Sequence, residues 1–129
     1  MFEFSLSEEE EMVRKTAADF AAEKLFPPFR EHEAAGSVPG SLRSAYGELG
    51  LAGLDIPEAQ GGSGLSSLVK SLVLESLAGG DAAAALALDG AGPALYPLLE
   101  MGGETGAGLV REFLSKKDAR GWVVVDREG

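Results

Sequence analysis

Leu65-Ser66-Ser67-Leu68-Val69-Lys70-Ser71-Leu72-Val73-Leu74-Glu75-Ser76-Leu77 is the stretch on which the fold turns. Its leucines and valines recur at helical spacing and cover nearly the whole circumference, with charge only at Lys70 and Glu75. A helix that is apolar on almost every side needs neighbours on almost every side. The segment therefore reads as the central helix of a helical bundle. Gly79-Gly80 stops it, and Asp81 is suited to cap the start of the next helix.

That next helix, Ala82-Ala83-Ala84-Ala85-Leu86-Ala87-Leu88, is small, uncharged and strongly helix-forming. Alanine surfaces let another backbone or a ligand come very close, and tight helix packing is the plainer of the two readings. Asp89-Gly90-Ala91-Gly92-Pro93 breaks the helix, and Leu95, Leu98 and Leu99 mark another turn or two. After Gly102-Gly103, the residues Leu109, Val110, Phe113 and Leu114 form one face of a last helix. Trp122-Val123-Val124-Val125 then changes character: it is apolar and β-branched, the pattern of a buried strand. One strand cannot satisfy its own ladder hydrogen bonds, so this one is expected to need a sheet from outside these residues.

Upstream, Ser7 and Glu10 have the spacing of a capping box. Glu8, Glu9, Glu10 and Glu11 suit the positive end of a helix dipole and read as a solvated helix start rather than a metal site. Met12, Val13, Ala17, Phe20, Ala21 and Leu25 make one apolar face over residues 8–26, which Pro27-Pro28 ends. A short helix over residues 29–35 is closed by Gly36, and its His32, between Glu31 and Glu33, reads as exposed. Leu42, Ala45, Tyr46 and Leu49 form the stripe of a further helix with Gly50 at its end. The Gly61-Gly62-Ser63-Gly64 cluster lacks a Gly-x-x-x-x-Gly-Lys-Ser/Thr pattern and a preceding strand, so it reads as a tight connection and not a phosphate cradle.

Composition bounds the rest. A chain of 129 residues is one domain by length. With 21 acidic and 11 basic side chains the net charge is −10, which disfavours nucleic acid and anionic membrane surfaces as partners. Cysteine is absent and His32 is the single histidine, so disulfides, thiolate chemistry and a histidine-rich metal site are all disfavoured, and no metal is expected. The longest uncharged run, residues 59–69, is short of the roughly 18–20 residues a membrane helix needs. The acidic start is unlike a signal peptide. The expectation is a soluble, cytoplasmic protein.

The order of these segments resembles a known family. Phe4-Ser5-Leu6-Ser7-Glu8-Glu9 is followed by Tyr46-Gly47-Glu48-Leu49-Gly50-Leu51-Ala52-Gly53. Then come Ile56-Pro57-Glu58, Gly61-Gly62-Ser63-Gly64-Leu65, Val73-Leu74-Glu75-Ser76-Leu77-Ala78 and Ala85-Leu86-Ala87-Leu88. The series is similar to the N-terminal helical domain of the acyl-CoA dehydrogenases, over residues 4–125. The resemblance implies an all-α, irregular multi-helix bundle over residues 1–120. A C-terminal stub of β-strand at residues 121–129 would begin a middle β domain. It further implies FAD as cofactor, an acyl-CoA thioester as substrate and an electron-transfer flavoprotein as partner, in a homo-oligomer.

In that family a glutamate of a C-terminal helical bundle takes the α-proton and the flavin takes the β-hydride. On this resemblance the chain alone is expected to lack the catalytic base and most flavin contacts, so no catalytic residue is assigned. The end of the alanine-rich helix would line the acyl site through Ala85, Leu86, Asp89, Gly90 and Pro93. Asp89 is the odd residue in that set, and capping a helix is its plainer reading. Trp122, Val124 and Val125 would fall on the flavin-contacting segment. There Val125 stands where the family usually has a threonine that bonds the flavin ring, and a valine cannot donate that bond. The other reading is a stand-alone helical module that binds an acyl group or a protein without redox chemistry.

Overall fold

The computed structural model describes residues 5–89, 92–116, 119–121 and 124. Six α-helices follow one another: α1 (Glu8–Phe20), α2 (Phe29–Ala35), α3 (Gly40–Glu48), α4 (Ser67–Leu88), α5 (Gly92–Met101) and α6 (Gly103–Leu114). A π-helical turn, Ala21–Leu25, extends α1. Short 3-10 turns at Leu51–Gly53 and Glu58–Gln60 link α3 to α4.

The first helix forms as its sequence dictates. Ser7 Oγ accepts from the Glu10 amide at 3.2 Å, and the Glu10 carboxylate accepts from the Ser7 amide at 2.9 Å. Both are N–H groups that the helix itself leaves unpaired. Ala17 and Phe20, then Ala21 and Leu25 of the π-helical turn, are buried against α4. Phe20 reaches Tyr46 of α3, with ring centroids 6.1 Å apart. The main core joins these residues to Leu42, Leu51, Leu54, Val73, Leu77, Ala84, Ala85 and Leu88. A smaller core of Ile56, Leu95 and Val110 ties α5 and α6 to the α3–α4 connection.

α4 runs through the bundle, but it is wrapped on one side rather than on most. Val69, Val73 and Leu77 are buried, while Leu68 is 56% exposed. Gly79-Gly80 end its first half, as their sequence position suggested. Asp81 is extended (φ −161°, ψ 106°), and the range to Leu88 is two helical halves joined across that break, the second turned back so that Asp89 meets Lys70. Gly80 lies there against the Ala21 carbonyl, where a Cβ would sit 2.8 Å away, so this glycine lets α4 close on the α1 extension. By length and composition alone, α4 is long and apolar enough to cross a membrane. The break at Asp81 divides that length into two halves that fold back on each other. The contacts of α4 with α1 and α2 make it the central helix of this bundle.

The glycine-rich connection is a tight turn. The Gly61, Gly62, Ser63 and Gly64 amides donate to the carbonyls of Glu58, Pro57, Gly53 and Ile56 respectively. No amide of this cluster is left over to cradle a phosphate. A Cβ on Gly62 would sit 2.0 Å from the Ile56 carbonyl oxygen, so only glycine lets the two chain segments touch.

The expected C-terminal strand finds no support. Among the described residues there is no strand, and Val124 is 90% exposed with no regular structure. Trp122, Val123 and Val125 lie outside the described residues. β propensity alone does not make a strand without a neighbour to pair with.

Candidate functional site

The break in α4 positions a polar pair beside a groove. Asp81 Oδ1 accepts the Ala84 amide at 3.0 Å and so caps the alanine-rich half of α4, as its sequence position suggested. Its other oxygen lies 3.4 Å from His32 Nδ1 of α2. Both side chains are 9% exposed, which corrects the expectation of an exposed His32. The reason is tertiary. α2 packs on α4, and a ring carried between two glutamates turns inward to meet an aspartate 49 positions away. A groove of about 590 Å³ opens beside them, lined by Phe29, Val38, Ala82, Ala83 and Ala87. Its alanines give a shallow, largely apolar floor.

A second polar centre closes the far end of α4. Lys70 is 4% exposed. Its ammonium donates to the Leu51 and Ala52 carbonyls, each at 3.2 Å, and to the Asp89 carboxylate. All three of its donors are thereby used. Burial pushes the Asp89 carboxyl up from its ordinary value, and the Lys70 charge opposes that only in part. Nearby, the Tyr96 hydroxyl donates to Asp55 at 2.7 Å. Burial first, and the Asp89 charge second, push the Tyr46 phenol up. Burial and the Asp55 bond do the same for Tyr96. Both tyrosines remain protonated donors across the neutral range. With Lys70 spent on three acceptors and Asp89 held by it, this centre fixes backbone rather than moving protons.

The structure separates the residues assigned to the acyl site from the sequence. Ala85 is buried in the main core, whereas Leu86, one residue on, is 74% exposed on another face of the same helix. Asp89 ends α4, with its amide bonded to the Ala85 carbonyl at 3.0 Å, and its carboxylate turns inward to Lys70. Pro93 belongs to the α5 range, with only its backbone described; Gly90, Trp122 and Val125 lie outside the described residues. Sequence reasoning missed Lys70, Tyr46, Asp55 and Tyr96. The one available signal was a lysine on the stripe of Val69, Val73 and Leu77, since a buried lysine requires an acceptor.

Comparison with known proteins places the chain. A family model described as the acyl-CoA dehydrogenase N-terminal domain matches residues 7–106. The short-chain specific acyl-CoA dehydrogenase of rat mitochondria is 34% identical over 99 residues, covering 75% of this chain and 24% of that protein. Its human counterpart is 27% identical over 118 residues, covering 92% and 26%. A probable acyl-CoA dehydrogenase of Bacillus subtilis, YngJ, is 35% identical over 74 residues, covering 57% and 20%. The chain thus spans about a quarter of the length of the curated relatives it matches.

Proposed function

Since the chain belongs to the acyl-CoA dehydrogenase family by its N-terminal domain, we propose that it supplies the helical wall of an FAD-dependent enzyme that oxidises acyl-CoA thioesters. The observation that carries this reading is the family match over residues 7–106, on an all-helical fold with an open apolar side. Residues 1–120 act as the helical unit. The exposed Leu68 and Leu86 lie on the surface that meets further protein or the acyl chain. Each methylene taken from water against such a wall contributes about 0.8 kcal/mol. Asp89, tied back to Lys70, keeps its charge away from that surface. Of the acyl-site set Ala85, Leu86, Asp89, Gly90 and Pro93, Leu86 is the exposed side chain this proposal places on the wall, while Ala85 and Asp89 back it from inside. An electron-transfer flavoprotein as partner belongs to the proposal too.

FAD supplies the hydride acceptor in this family. The described residues do not form a cradle for it. Val124 has no hydrogen-bonding side chain and is exposed, and the tight turn at Gly61 to Gly64 has spent its amides. We therefore assign no flavin step to this chain, and the expected outcome for the chain by itself is no turnover. Two measurements test the reading. Desalted after mixing with FAD, the purified chain should show no flavin absorbance and no dye reduction with a series of acyl-CoA thioesters. In sedimentation velocity it should self-associate, and Leu68→Lys/Leu86→Lys should reduce that association. A yellow chain that reduces dye in response to acyl-CoA would overturn the inactivity. A monomer at all concentrations that binds acyl-CoA without turnover would favour a stand-alone binding module.

A further inference from the structure

One cavity departs in charge from the rest of the molecule. It lies between α3, the glycine-rich turn and the end of α6, and has a volume of about 170 Å³. Arg43, Lys116 and Arg120 line it, and among the described residues no Asp or Glu does. The whole chain carries 21 acidic against 11 basic side chains. Three basic residues on the lining of one small cavity set its charge apart from that of a negative protein.

Hydrogen-bond accounting points the same way. Arg43 donates through one terminal nitrogen to the Val38 carbonyl at 2.8 Å, yet its buried Nε has no partner. The buried Tyr46 hydroxyl has none either. Buried donors left unpaired cost free energy, and such orphans in a folded protein call for an acceptor. Tyr46 stays protonated, and so able to donate, because burial holds its phenol high. Among the described residues, Lys116 meets Glu112 in an exposed pair one turn apart, which it can leave at little cost. Ser63 adds a hydroxyl to the lining, while Phe113 supplies apolar wall. The backbone of the glycine turn contributes nothing, since its amides are paired.

We propose that this cavity binds a compact oxyanion, either free phosphate or the phosphate group of a larger ligand, through the side chains of Arg43, Lys116 and Arg120. Tyr46 and Ser63 stand as neutral donors beside it. The proposal does not depend on the acyl-CoA reading. The test is a phosphorus NMR titration of inorganic phosphate with the full 129-residue chain at low salt, with coenzyme A in a parallel arm. Lys116→Gln/Arg120→Gln removes two charges beyond the last helical turn, and a thermal melt confirms that it folds. Lys15→Gln/Lys24→Gln removes the same charge on and just beyond α1, away from the cavity.

Saturable phosphate binding is expected, weakened about tenfold or more in Lys116→Gln/Arg120→Gln and unchanged in Lys15→Gln/Lys24→Gln. Coenzyme A displacing phosphate at lower concentration identifies a ligand-borne group. Phosphate binding that coenzyme A does not displace identifies the free anion. Absence of saturable binding by either, or equal weakening in the two double variants, overturns the site.

Discussion

Lys70 and Asp89 close an ion pair inside the bundle, with side chains 5% and 12% exposed, and the same ammonium holds the Leu51 and Ala52 carbonyls. The pair joins the first half of α4 to its own end and to the turn after α3. Taking two charges out of water is costly, and only a full set of partners offsets it. Lys70→Met should therefore destabilise the fold by about 3–5 kcal/mol, because it strands the Asp89 carboxylate and two carbonyls. The double change Lys70→Met/Asp89→Leu should cost less than Lys70→Met alone. Urea unfolding of the three proteins measures the difference. A double variant no better than Lys70→Met would mean that the carbonyl bonds, not the stranded charge, set the cost.

The same carboxylate gives a pH dependence whose sign is unusual for an ion-paired aspartate. Burial is the largest influence on Asp89 and raises its folded pKa above the ordinary aspartate value; Lys70 lowers it only in part. A folded pKa above the unfolded one means that the native state holds its proton longer. The group's contribution is then full below the unfolded pKa and is lost as pH rises through the folded one. Compared with Asp89→Asn, the natural protein should therefore lose relative stability as pH climbs from below the ordinary aspartate range through the raised folded value. Parallel denaturation series across that range decide it. A natural protein that gains on Asp89→Asn over the same window would show the Lys70 attraction to dominate.

Much of the fold can be read from local sequence. Ser7 with Glu10, the Ala17–Phe20–Leu25 face and the pair Pro27-Pro28 each signal their element within one or two turns of chain. What could not be read rests on long-range partners. Lys70 looked like an interruption of an apolar helix because Asp89 lies 19 residues away, and His32 looked exposed because Asp81 lies 49 away. Spacing within a helix carries no information about such pairs. Gly79-Gly80 and Asp81 were legible because both act locally: the glycines end one helical half, and Asp81, in extended backbone, caps the next. Leu86 looked like a neighbour of Ala85 in one lining, but adjacent helical residues point about 100° apart.

Asp81 has two duties that substitution can separate. Asp81→Ala removes the cap on the Ala84 amide and the partner of His32 together. Loss of an N-cap costs about 0.5–2 kcal/mol. Asn caps nearly as well as Asp, so Asp81→Asn should restore most of that loss while removing the charge facing His32. Amide hydrogen exchange at residues 84–88 should be faster in Asp81→Ala and close to natural in Asp81→Asn. Equal acceleration in both would assign the stability to the histidine contact instead.

Gly106 and Gly108 sit two residues apart on α6 and should respond in opposite directions to the same change. A Cβ on Gly106 would lie 2.1 Å from the Leu98 carbonyl oxygen of α5, so a methyl there forces the two helices apart. Gly106→Ala should cost about 1–3 kcal/mol, the range for overpacking a close contact. Gly108 has nothing within 4 Å of its would-be Cβ and lies in the helix interior. Gly108→Ala should stabilise by about 0.4–1 kcal/mol, because it limits the unfolded chain without straining the folded one. Because both variants add the same methyl to the same helix, propensity alone predicts a gain in each. Only close approach of α5 to α6 through Gly106 reverses one of them, so matching thermal shifts in the two variants would refute that packing.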